Sequence, residues 1–159
     1  MIPIANPFNE HNGYNCFGCA TGNTHGLQMK FFLDSENEEV VSIWNPKNHL
    51  QSYPNILHGG IQSTLMDEIS SWTVYMFLKT AGVTSRMEIR YRKPISIEDG
   101  ELKIVGKLVK SEKRLAFIAT KILNSKGELC AEANIQFFTY PESVAREKFN
   151  FPGYEAFFS

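Results

Sequence analysis

Two groups of residues in this chain have the types and spacing to do chemistry. The first is His58-Gly59-Gly60 with Asp67 nine positions after the histidine. Glycine lacks a Cβ, so a ligand can approach the backbone N–H groups of Gly59 and Gly60 closely. At a helix start such groups carry partial positive charge and favour a developing anion. Asp67 falls about two turns further in among apolar neighbours, where a carboxylate is either paired or at work. A tight turn and a paired carboxylate would explain the same residues without chemistry. The second group is Cys16-x-x-Cys19, with His25 downstream. A closed zinc site wants four ligands, and no second Cys or His pair follows at a suitable spacing. A redox pair is expected in a strand–helix setting, which is missing here. The spacing therefore predicts a structural loop and no metal.

Positioning Asp67 requires a helix, and the pattern supplies one. Ile61, Leu65, Ile69, Trp72 and Met76 recur at helical steps. Val74, Tyr75, Phe77 and Leu78 make the second half apolar almost all round, as in an enclosed helix. Gly82 reads as its stop signal. A helix of some 20 residues spans about 30 Å. Glu68 adjoins Asp67, but their side chains diverge by about 100°, so one of them faces any site.

Period-two runs surround this helix. Leu27 to Phe32 and Val40 to Trp44 alternate as strands, and Pro54 extends the approach to the helix. Met87, Ile89 and Tyr91 mark a further strand that Pro94 ends. Leu102 to Leu108 continues with Gly106 as a bulge or bend. Leu115 to Leu123 and Leu129 to Phe137 flank a hairpin turn at Asn124-Ser-Lys-Gly127. Residues 1–26, dense in Pro, Asn and Gly, show no sustained period and read as an ordered or semi-ordered arm. Residues 141–159 hold five aromatic rings without a period, a tail that must pack on its own subunit or line a binding pocket. One long helix set against consecutive antiparallel strands is an α+β domain, its sheet wrapped around the helix, spanning 1–159.

His58-Gly-Gly with Asp67, followed by Thr84-Ser-Arg-Met-Glu-Ile-Arg-Tyr-Arg-Lys-Pro94, resembles the phenylacetate-type branch of the hotdog-fold acyl-CoA thioesterases, in the 4-hydroxybenzoyl-CoA thioesterase superfamily. Asn15-Cys-Phe-Gly-Cys-Ala-Thr-Gly-Asn-Thr-His-Gly-Leu27 is similar to the opening of many members. The resemblance implies a hotdog fold and hydrolysis of a coenzyme A thioester to free acid and coenzyme A, without a further cofactor. It implies that Gly59 N–H polarises the carbonyl and that Asp67 is nucleophile or general base. It implies a homodimer whose sites join Asp67 of one chain to Gly59 of the other, with tetramers as a further option. His58 and Gly60 support the loop, and Ser52, with Gln51 beside it, stands where relatives orient substrate or water. Counting back from Pro94 puts Thr84 beside the reacting water, while counting forward from Asp67 puts Ser85 there. A phosphate-bearing substrate suggests a basic rim of Arg90, Arg92 and Lys93, or of Lys113 and Arg114. A non-catalytic acyl-CoA binding module and a hotdog dehydratase or hydratase are the competing readings. The acyl group is not legible.

Composition narrows the classes further. Of 159 residues, 43% are hydrophobic and 21% charged, ordinary for a soluble globular chain. Lys+Arg 16 against Asp+Glu 17 leaves a net charge of −1, which gives no footprint for nucleic acid or anionic membrane. No apolar run reaches a membrane span and residues 1–14 do not read as a signal peptide, so the expected location is cytoplasmic. Three cysteines, an odd count, argue against a disulfide framework.

Overall fold

The computed structural model describes residues 1–159. Its strands are β1 (Ile2–Ile4), β2 (Phe31–Asp34), β3 (Glu39–Trp44), β4 (Gly82–Tyr91), β5 (Leu102–Glu112), β6 (Leu115–Leu123) and β7 (Leu129–Thr139). The helices are α1 (Gly59–Leu78) and α2 (Glu142–Phe149). All seven strands join one antiparallel sheet in the order β1-β2-β3-β5-β6-β7-β4. The sheet wraps around α1 as the pattern of the sequence predicts. Leu65, Met66, Ile69, Trp72 and Met76 of the helix are buried against Val40, Ile104, Ile118 and Ile135 of the sheet.

Helix α1 starts where expected but stops differently. Lys79, in a left-handed conformation, caps it, and Gly82 opens β4 instead of ending the helix. Gly106 is not a bulge, because its pairing with Val40 and Thr120 is regular and the irregularity falls between Leu108 and Lys110. Gly106 is needed for closeness: a Cβ there would sit 2.5 Å from Thr73 Oγ1. The helix therefore rests on the backbone of β5 at that point.

The first strand begins at Phe31, later than the alternation from Leu27 suggests. Residues 27–30 are instead held by loop bonds, Leu27 N–H to Phe17 O and Met29 N–H to Gly18 O. The arm is ordered and contributes a strand, since Ile2–Ile4 pairs with β2. Its loop and the C-terminal tail together cover the side of α1 that carries Glu68, Trp72 and Tyr75. Phe157 lies among Phe8, Trp72, Tyr75 and Phe151, with ring centroids 5.3 to 6.0 Å apart. The tail thus docks on its own subunit. No helix is long and apolar enough to cross a membrane.

Candidate active site

The helix start is built by its own cap. His58 precedes α1 with extended backbone, and its Nδ1 accepts a hydrogen bond from Gly60 N–H at 2.9 Å. The first free donors of a helix need such partners. Gly59 N–H has none: it appears in no side-chain or loop hydrogen bond, and as the first helical residue it has no acceptor within the helix. Tyr91 stands over Gly59, its hydroxyl donating to Gly59 O at 2.9 Å. Beside this start, His49, Leu50, Gln51, His58, Gly60 and Ile61 line a cavity of about 310 Å³. Gln51 thus lines this cavity, although its side chain also receives Asn55 N–H at 2.9 Å. Ser52 does not line it, and its hydroxyl turns back to donate to Ile56 O at 3.4 Å.

Asp67 meets edge strand β4. Thr84 Oγ1 donates to Asp67 Oδ1 at 2.5 Å, whereas Ser85 bonds Gln136 at 3.1 Å. The choice between the two is made by a bulge: pairing of β4 with β7 slips between Thr84 and Arg86. The extra residue changes the parity of the strand, so Thr84 shares the helix-facing side with Met87, Ile89 and Tyr91. Sequence counting had two answers because it cannot see that slip. Thr84 is exposed and Asp67 half-buried, so the pair opens to the outside of a single chain. Tyr91 joins the site only in the fold, although the Arg90-Tyr91-x-x-Pro94 pattern contains it.

The basic residues divide. Arg92 pairs with Glu132 at 3.3 Å and Lys93 pairs with Glu128, both near the Tyr91 end of β4. Arg90 is exposed and has no ion pair. Lys113 and Arg114 form the β5–β6 turn at the opposite end, where Arg114 O accepts from Thr139 N–H at 2.7 Å.

Glu68 points away from Asp67, into the cysteine loop. Cys16 Sγ lies 3.7 and 3.8 Å from its two carboxylate oxygens, and Trp72 Nε1 donates to it at 3.2 Å. His25 is exposed and is not part of this cluster. Desolvation first, then the negative charge of Cys16, pushes the Glu68 carboxyl up to about 7. The unfolded chain thus releases this proton at lower pH than the folded one, and stability from this group is lost as pH rises through about 7. Glu68→Gln should therefore gain in Tm relative to the parent as pH is raised from about 5 to about 8. An unchanged difference across that range would show that Glu68 titrates normally.

The profile of the thioesterase superfamily matches residues 54–131, the segment that holds α1, Asp67, Thr84 and Tyr91. An uncharacterised protein of Schizosaccharomyces pombe is 30% identical over 122 residues, covering 74% of this chain and 69% of that protein. The chain belongs to the thioesterase superfamily. Its architecture is the hotdog fold. A crystal structure of another thioesterase superfamily protein superposes with a TM-score of 0.69 at 22% identity, over 75% of this chain. The chain spans only 57% of that protein's length. A hypothetical thioesterase protein of Streptococcus pneumoniae, crystallised with coenzyme A, gives a TM-score of 0.62 at 28% identity, over 66% of this chain and 83% of that one. The Streptococcus protein has also been crystallised with one aspartate, and separately one threonine, replaced by alanine.

Proposed function

We propose that the protein hydrolyses an acyl-coenzyme A thioester to the free acid and coenzyme A, as a homodimer with shared sites. The observation that carries this reading is the Asp67–Thr84 hydrogen bond within the segment the superfamily profile matches. Aspartate and threonine are also the two side-chain types replaced in the Streptococcus thioesterase, which binds coenzyme A.

The chemistry follows from the two ends of the helix segment. Gly59 N–H, unpartnered at the helix start, donates to the thioester oxygen as negative charge develops there. Asp67 either takes a proton from the attacking water or attacks the carbonyl carbon to form a mixed anhydride that water then hydrolyses; in both cases the C–S bond breaks and coenzyme A leaves as a thiolate that is protonated to the thiol. Thr84 fixes the carboxylate rotamer and leaves the second oxygen free. His58 holds the loop through its capping bond. Hydratase chemistry would instead draw on His58 as acid and base, yet its Nδ1 is occupied as the cap.

One chain cannot supply both groups to one carbonyl. Asp67 follows Gly59 by eight residues, about 12 Å along the axis. A donor at about 3 Å and an attacking oxygen at about 3 Å from the same group cannot bridge that span. A second copy can, if its helix lies alongside with Gly59 facing Asp67. The ten-residue strand β4 pairs only with β7 and leaves its other edge open for that copy. The basic rim is proposed to receive the phosphates, with Arg90 free and Arg92 and Lys93 held only by exposed pairs, typically worth about 0–1 kcal/mol.

A panel of short, medium, long and aromatic acyl-coenzyme A thioesters, followed with a thiol reagent, tests the reading. Release of coenzyme A from at least one class is expected. Binding without release from any of them would make this a binding module, and neither binding nor release would remove the substrate class altogether.

A further inference from the structure

The cluster behind Asp67 has its own chemistry. Cys16, Cys19 and Glu68 place two thiols and a carboxylate oxygen within 4.8 Å of one another. No lysine, arginine or histidine forms an ion pair with Glu68. The two cysteines are unequal. Cys16 is half-buried beside exposed Phe17, whereas Cys19 is 2% exposed. Cys16 occupies a turn closed by Ala20 N–H to Cys16 O at 3.1 Å. Residues three apart in such a turn have Cα atoms within about 7 Å, the reach of a disulfide.

The loop is locked against the helix. Gly18 presses on Glu68 so closely that a Cβ would lie 2.5 Å from its Cδ. Cys19 Sγ and the Glu68 carboxylate both lie within 4.8 Å of Cys16 Sγ, and the Cys19 thiol, helped by the backbone N–H groups of Cys19 and Gly18, outweighs burial and brings the Cys16 thiol down to about 5. The same bond and burial push the Cys19 thiol up, and Tyr14 OH stands 3.1 Å from it. A half-exposed thiolate, an enclosed thiol and an adjacent carboxylate are the three parts of a dithiol exchange centre.

We propose that Cys16 and Cys19 are a reversible dithiol–disulfide couple, in which Cys16 attacks a low-molecular-weight disulfide and Cys19 resolves the product with Glu68 as proton acceptor. In the first step the Cys16 thiolate forms a bond to one sulfur of the small disulfide, whose S–S bond breaks and releases one thiolate. Consuming the Cys16 charge lowers the cost of ionising Glu68 beside it. Glu68 then takes the proton of Cys19, whose thiolate attacks Cys16 Sγ and displaces the second small thiolate. The two small thiolates end protonated, one by Glu68 and one by solvent. Two electrons have passed from the protein dithiol to the small disulfide, which leaves as two thiols. The sequence offers the cysteine spacing, but Glu68 lies 52 residues from Cys16 and joins them only in the fold.

The test treats the reduced full chain with glutathione disulfide and follows intact mass and free thiols. The parent should go from three free thiols to one without retaining glutathione, and Cys130→Ser from two to none. Cys19→Ser should stop as a single glutathione adduct, and Cys16→Ser should form none in the loop. Glu68→Gln, which keeps the shape of the side chain, should accumulate the adduct because resolution slows by about a hundredfold. Three persistent thiols in the parent, or one zinc per chain held by these cysteines, would overturn the couple. Resolution at the parent rate in Glu68→Gln would remove Glu68 from it.

Discussion

Asp67→Asn is expected to lose at least about a hundredfold in thioester hydrolysis while keeping the fold. An amide neither attacks a carbonyl nor accepts the proton of water, and general-base or nucleophilic help is worth about 10²–10⁴. Asparagine keeps the side-chain oxygen that receives Thr84 Oγ1, so β4 and α1 stay together. The matching change at the donor is Gly59→Pro. Proline is tolerated at the first helical position, and it removes the one N–H assigned to the carbonyl. His58, at φ −58° and ψ 132°, already has the backbone that precedes a proline. Each variant alone should be inactive. After subunit exchange, a mixed dimer contains one site with both defects and one with neither, so activity should return towards one site per dimer. Full turnover by Asp67→Asn would move the reaction elsewhere, and no recovery after verified exchange would end the shared-site reading.

Phe157→Ala is expected to cost about 3–5 kcal/mol. The ring is 0% exposed and meets four other aromatic rings, while its carbonyl receives Ala5 N–H at 2.8 Å. Against a typical total of about 5–15 kcal/mol this is a large share, and Tm should fall by on the order of 10 °C. Neighbouring Phe158, 39% exposed, serves as control, with a much smaller change on truncation. Equal effects at the two positions in a thermal melt would show that the tail is not part of the core.

These rings also change the grounds for a dimer. An apolar helix beneath a small sheet suggests a second copy to cover it. Here the chain's own arm and tail cover the Glu68, Trp72 and Tyr75 side, so the case rests on the open edge of β4 and the Gly59–Asp67 spacing.

How much the sequence discloses depends on how local each feature is. The helix and the strands after it are legible because burial repeats along them every three to four or every two residues. The divergence of Asp67 from Glu68 follows from helix geometry alone. Ile2–Ile4 is too short to show a period, and its pairing with Phe31–Leu33 is decided by the sheet. The tail rings have no repeat because they fill gaps between elements already formed. Thr84 faces Asp67 because of a slip in pairing with β7, which lies some fifty residues further on. The partner of Glu68 is hidden for the same reason.

Docking of the tail on α1 also sets an order in time. Tyr75 and Trp72 leave the ribosome 82 and 85 residues before Phe157, the last of the rings that cover them. At about 5–20 residues per second this interval is on the order of ten seconds. Throughout it the nascent helix presents an indole and a phenol to solvent or to whatever chaperone attends it. The sheet can assemble as β7 emerges, but the aromatic layer closes only afterwards, by joining Phe157 to Ala5 across nearly the whole chain.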